Sequence, residues 1–187
     1  MLPAGREYVR FREAPAHALE SGVLVLLFPM GKSIHTCLIK RPEHMKVHAG
    51  QVGFPGGRRE AADAGTLETA LREAHEETGV TTSEAEVLGP LTPLYVPVSD
   101  YLIFPWLAWS ATMPRFTPNP GEADKILLFP LPAGRGRWPV VTTMMGINGL
   151  GEVPSLLFDG EVIWGATAMI LNELAEVLAR VTGKPGL

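Results

Sequence analysis

"GGRREAADAGTLETALREAHEETGV", residues 56–80, is the stretch from which the rest of the chain can be read. Its spacing predicts a helix over roughly 66–78, with Gly79 as the stop. At about 100° per residue, Leu67, Ala70, Leu71, Ala74 and Thr78 fall on one face. Glu73, Glu76 and Glu77 fall on the neighbouring face, and Arg72 stands four residues before Glu76, a spacing that lets the two pair. Like charges this close each cost about 0.2–0.5 kcal/mol. Taken alone, the stretch allows two readings. One is a solvated face made of a good helix former. The other is a set of hard oxygen ligands for Mg²⁺ or Mn²⁺, with Glu73 and Glu77 as the i, i+4 pair. His75 points away from that face and reads as a surface residue.

Outward from the helix, the 187 residues suit one domain, and 46% hydrophobic against 19% charged residues supports a sizeable core. A net charge of −4 argues against a protein that must neutralise a nucleic-acid backbone. The single cysteine, Cys37, cannot form an internal disulfide and fits a reducing compartment. No run approaches the roughly 18 apolar residues of a membrane span. "VLVLLF" at 23–28 lies too far in, with the wrong flanks, for a signal peptide, and reads as a buried strand. The expectation is a cytoplasmic protein with neither nucleic acid nor membrane as partner.

Residues 1–22 read as an irregular or short-helical lead-in, 23–182 as the domain and 183–187 as a tail. "GKS" at 31–33 is not a phosphate loop, because Leu26 stands where that motif needs glycine; it is a turn between two strands. In the second of these strands Cys37 is a small core residue. A long loop runs to the helix, and strands follow around 86–95, 101–110 and 126–129. "WPVVTTMM" and "VPSLLF" flank the turn signal "NGLG" as a hairpin. The end, from Val162, reads as a helix with Ala168, Leu171, Leu174, Ala175 and Leu178 on one face. Together these predict a layered α/β domain.

The opening stretch resembles the box of the Nudix hydrolase family: Gly57, then Arg72, Glu73, Ala74, Glu76, Glu77, Gly79 and Val80 stand in its pattern. Two positions depart. Asp63 replaces the first Glu, and eight residues rather than seven separate it from Arg72, both features associated with the coenzyme A pyrophosphatase branch. Upstream, Arg41, His48, Gly50, Phe54, Pro55, Gly56 and Gly57 match the signature of that branch, while Cys37, Ile39, Pro42 and Lys46 depart from it. "NPGEADKILLFPL" and "IWGATAMILNELA" resemble its downstream segments, so the likeness runs over about residues 23–180.

The resemblance implies an α/β/α sandwich, a mixed and largely antiparallel sheet between helices. It also implies metal-dependent hydrolysis of a diphosphate. Glu73, Glu76, Glu77 and the Gly56 carbonyl are the implied ligands of Mg²⁺ or Mn²⁺. Arg72 is implied to hold the carboxylates in place, with Asp63, and Glu76 or Glu122 to take the proton of the attacking water. Arg41, Lys46, His48 and Arg58 are the candidates for substrate contact, Arg41 and Lys46 for a 3′-phosphate. The implied substrate is coenzyme A or an acyl derivative. Another nucleotide conjugate, such as ADP-ribose or a dinucleotide cofactor, and a non-catalytic nucleotide-binding regulator are the alternatives. A homodimer is expected.

Overall fold

The apolar run at 23–28 belongs to a strand buried on both faces, and this strand sets the architecture. The computed structural model describes residues 14–45, 48–131, 140–144 and 152–181. Strand β1 (Leu19–Met30) turns at Gly31 and Lys32 into β2 (Ser33–Lys40), with Leu27 opposite Thr36. The short strands β3 (Val52–Gly53) and β4 (Gly56–Arg58) pair with β2 and β1. Helix α1 (Thr66–Thr78) follows, then β5 (Glu86–Pro90), β6 (Leu94–Val96), β7 (Tyr101–Trp109) and β8 (Lys125–Pro130). These eight strands form one sheet. β1 and β7 run parallel from Leu19–Tyr101 to Leu27–Trp109, and the other described pairings are antiparallel. A second antiparallel sheet joins β9 (Val140–Met144), β10 (Glu152–Phe158) and β11 (Glu161–Ile163), and α2 (Gly165–Val181) closes the described chain.

Alternate residues of β1 face opposite layers. Leu24, Leu26 and Phe28 pack with Cys37 and Ala108 against Ala70 and Ala74 of α1. Val25 and Leu27 pack with Leu38 and Leu127 against Ile170, Leu171 and Leu174 of α2. The two helices therefore cover opposite faces of the sheet, the expected three-layer sandwich. A strand buried on both faces has no polar side, which is why it reads as one unbroken apolar run. Each such side chain contributes about 1.5–3 kcal/mol on full burial. The Trp106 indole of β7 donates to the Thr66 hydroxyl at 3.1 Å and pins the start of α1 to the sheet.

Four expectations need correction. The first strand starts at Leu19 rather than 23: Glu20, Ser21 and Gly22 are not apolar, but their backbones pair with β7, and Ser21 and Gly22 pair with β4 as well. The loop before α1 contains β3 and β4, which are too short to show periodicity. The strand expected over 86–95 is two strands with Leu91–Pro93 between them, where Pro93 has no N–H to give a ladder. The last helix starts at Gly165, because Val162 and Ile163 belong to β11. On its face Leu171 and Leu174 are buried and Leu178 packs against the core as expected, while Thr167, Ile170 and Ala179 are buried in place of Ala168 and Ala175. The hairpin of β9 and β10 is present; its turn, Lys46, residues 1–13 and residues 182–187 lie outside the described residues. Among the described residues no helix is long and apolar enough to cross a membrane.

Candidate active site

The site grows from the C-terminal half of α1. That helix ends as its sequence requires: Gly79 takes the left-handed conformation at φ 66°, and its N–H donates to His75 O. Arg72 projects from the middle of the helix into a set of oxygens. Its Nε donates to Asp63 Oδ1 and its Nη2 to Asp63 Oδ2, both at 3.0 Å, the fork-to-fork geometry that suits guanidinium and carboxylate. Its Nη1 lies 2.9 Å from Glu73 Oε1 and 2.9 Å from Glu76 Oε2. Asp63 is fixed in turn by the Glu60 N–H at 2.9 Å and the Thr69 hydroxyl at 3.0 Å. The Arg72 hydrogen bonds, with these two, hold its carboxyl well below the usual carboxylate range.

Glu77 has a different environment. It is 2% exposed, on the packed side of α1, and does not share the open face expected for all three acids. Its Oε2 accepts from the Gly56 N–H of β4 at 2.8 Å, and its Oε1 lies 3.2 Å from Arg41 Nη2. Burial pushes this carboxyl up to about 8 against the pull of Arg41 and the Gly56 amide; the charges of Glu73 and Glu122 add to the rise. Glu73 is also pushed up, first by burial, with Arg72 opposing. At Gly56 a β-carbon would run into the Gly22 carbonyl and the Val23 backbone of β1, and at Gly57 it would meet the Glu73 carboxylate, so the glycine pair lets β4 lie close to β1 and the acids.

The loop before β8 is tied to the end of α1. Asn119 N–H donates to Glu77 O at 3.0 Å and Thr117 N–H to Thr78 O at 2.7 Å, satisfying carbonyls that a helix end leaves open. Asn119 O then accepts from the Glu122 and Ala123 amides at 2.9 and 2.8 Å. This turn places Glu122 within electrostatic reach of Glu77, and its Oε2 is buried with no hydrogen-bond partner.

The structure thus brings together Arg72, Glu73, Glu76, Glu77 and Gly56, with Glu122 at their edge. Among the described residues no three His, Cys, Asp or Glu side chains converge on one point. Glu73 and Glu76 face Arg72, and Glu77 faces Arg41. The donor set nevertheless suits a divalent cation: hard carboxylate oxygens, a buried acid short of countercharge, and an orphaned Glu122 oxygen. Of the substrate-contact candidates, Arg41 points inward to Glu77 and Gly56. His48 lies exposed on the preceding turn with Nδ1 2.9 Å from Gln51 Oε1, and Arg58 is exposed at the end of β4. Lys46 is outside the described residues. His75 is exposed, as expected. Cys37 is buried, and burial together with the Glu77 charge pushes its thiol up, so it is a core residue without thiolate character. The sequence reading misses Asn119 as the anchor of Glu122, although "NPG" is a turn signal. A cavity of about 400 Å³ lies on the α2 side of the sheet, between β5 and α2; Glu173 is the one acid among its described lining residues.

The chain matches the NUDIX domain over residues 18–133. It is 34% identical to the uncharacterized Nudix hydrolase NudL of Pectobacterium atrosepticum, over 74% of this chain and 72% of the relative. It is likewise 34% identical to NudL of Yersinia enterocolitica, over 74% and 71%. A MutT/nudix family protein from Enterococcus faecalis superposes with a TM-score of 0.58 at 20% identity, over 93% of this chain and 68% of that one. A NUDIX hydrolase from Nitrosomonas europaea gives 0.53 at 16%, over 91% and 76%. At such identities these two structures speak to the fold alone. A three-layer sandwich with an acid-bearing helix under a Gly-Gly strand defines a class of hydrolases acting on diphosphate bonds. This chain belongs to that class, the Nudix family.

Proposed function

We propose that the protein hydrolyses the diphosphate of coenzyme A or an acyl derivative, giving 3′,5′-adenosine diphosphate and (acyl-)phosphopantetheine. The observation that carries the chemistry is Glu77: a buried carboxylate, joined to the Gly56 amide and flanked by Glu73 and Glu122, in a family that cleaves diphosphates. Glu73, Glu76, Glu77 and the Gly56 carbonyl would hold Mg²⁺ or Mn²⁺. When bound, the cation supplies positive charge to the diphosphate oxygens and makes the attacking water more acidic.

The chain's own residues do the rest. Glu122 is the better placed base, because its Oε2 is buried and unpartnered while Glu76 Oε2 is held by Arg72. It takes a proton as the water oxygen bonds to one phosphorus; the bridging P–O bond breaks and the bridging oxygen leaves with the other phosphate. Arg72 orients Glu73 and Glu76 through the rigid Asp63 clamp.

The choice of coenzyme A is supported by the matches at Arg41, Gly50, Phe54, Pro55, Gly56 and Gly57. One observation favours a broader reading, hydrolysis of another nucleoside diphosphate conjugate: Arg41 is engaged inside the site and is not turned outward to a 3′-phosphate. A panel of coenzyme A, an acyl derivative, ADP-ribose and a dinucleotide cofactor, each with Mg²⁺ or Mn²⁺ and products identified by mass, tests both. Fastest release of 3′,5′-adenosine diphosphate supports the first reading. Faster cleavage of ADP-ribose overturns it in favour of the second.

A further inference from the structure

Arg41 has a place in the site that substrate contact alone does not explain. Its Nη2 lies 3.0 Å from the Gly56 carbonyl oxygen and 3.2 Å from Glu77 Oε1. These are two of the oxygens that the proposed function gives to a cation. The backbone of Arg41 is fixed: its N–H donates to Gln51 O at 2.9 Å, and its carbonyl accepts from Gly50 N–H at 3.1 Å. The side chain is only half-buried, and its long stem can swing without disturbing that turn.

We propose that Arg41 is a built-in counter-ion, which holds Glu77 and Gly56 until a divalent cation takes their oxygens and then turns to the substrate diphosphate. The inference rests on the cation reading of those two residues. An ionised Glu77 buried under β4 needs a positive partner, and the Arg41 guanidinium at 3.2 Å supplies one where no cation does. A guanidinium and a divalent cation repel one another and cannot both hold the same two oxygens. Arg41 uses a single nitrogen for the carboxylate and the carbonyl, and its planar fork matches two phosphate oxygens. The diphosphate brought in with the cation therefore offers the displaced arginine a new anionic partner. Cation and substrate then assist each other's binding, and Arg41 reads the scissile diphosphate common to all substrates of the class.

The test is calorimetric titration of the substrate-free protein with Mn²⁺, together with thermal unfolding at zero and saturating Mn²⁺. Arg41→Gln removes the competitor, so Mn²⁺ should bind about tenfold more tightly, the scale of one charge-assisted contact. Its Tm should fall in the metal-free protein and return close to that of the unsubstituted protein when Mn²⁺ saturates. Arg41→Lys, a point charge without the fork, should fall between the two. In the unsubstituted protein, the Arg41 side-chain Nε–Hε resonance should shift on adding Mg²⁺, which needs no variant to fold. Equal or weaker Mn²⁺ binding by Arg41→Gln overturns the proposal, as does an equal loss of Tm with and without Mn²⁺ or a resonance that does not respond to Mg²⁺. If the unsubstituted protein binds no divalent cation at all, the cation reading falls and takes this inference with it. If it binds and Arg41→Gln is unchanged, only the counter-ion role is lost.

Discussion

Two arginines neutralise the acids of one helix, and they do so in opposite ways. Arg72 chelates Asp63 through two 3.0 Å hydrogen bonds and reaches Glu73 and Glu76 from the same stretch of chain. Arg41 reaches Glu77 from a distant loop, through one nitrogen shared with a backbone carbonyl. At Asp63 the hydrogen bonds outweigh burial, and the carboxyl is held well below its ordinary range. At Glu77 burial outweighs the arginine and the amide, and the carboxyl is pushed up to about 8. The first arrangement is a fixture that shapes the site. The second leaves an acid under-neutralised, and that acid is where an incoming cation has most to offer.

The comparison breaks most visibly at Glu77. Glu77→Gln keeps the shape and removes the charge, so kcat should fall by roughly 10²-fold or more, the scale of lost cation stabilisation. Steady-state kinetics on any cleaved substrate decide this, and full activity would remove Glu77 from the ligand set. Arg72→Lys keeps charge but loses the fork; kcat should fall roughly 10- to 50-fold with KM little changed. A change in KM alone would make Arg72 a substrate contact and not a fixture.

A smaller effect concerns specificity. With Arg41 turned inward, Lys46 is the remaining candidate of the two for a 3′-phosphate, should coenzyme A be the substrate. Dephospho-coenzyme A should then lose about tenfold in kcat/KM, the lower end for one charge-assisted contact. Lys46→Ala should erase that difference by slowing coenzyme A alone, and equal rates for both compounds in the unsubstituted protein would contradict the assignment.

The smallest effect is on stability, and here the two acids should differ in sign. The folded-state pKa of Asp63 is lowered, so its contribution is present above the ordinary carboxylate value near 4 and is lost as pH falls below it. The folded-state pKa of Glu77 is raised, so in the metal-free protein its contribution is present at low pH and is lost as pH rises from about 4.5 through about 8. Scanning calorimetry of the chelated protein should show Asp63→Asn flattening the acid side of the Tm profile and Glu77→Gln flattening the alkaline side. The same side flattened by both would erase the contrast.

Helix α1 is legible to its last residue because its signals are local: an apolar period, a glycine stop, an acid-rich face. β1 is legible as an apolar run, but its first four residues are strand only through their partners on β7 and β4. β3 and β4 have no period to show and exist as ladders against β2 and β1. The same division runs through the site. The ion pair of Arg72 with Glu76 follows from helical spacing, and Asp63 lies close by in the chain. The burial of Glu77 and the inward turn of Arg41 depend on a strand and a loop that only the tertiary fold brings to the helix. Helical geometry puts Glu77 beside Glu73; packing under β4 makes it different.

The most direct measurement is hydrolysis of coenzyme A, followed by product mass, before chelation, after it, and after return of Mg²⁺ or Mn²⁺. Release of 3′,5′-adenosine diphosphate should cease in chelator and resume with either cation, and Glu77→Gln should fail to resume at the normal rate. Turnover that persists in chelator, or that Glu77→Gln recovers in full, would contradict a reaction built on these carboxylates.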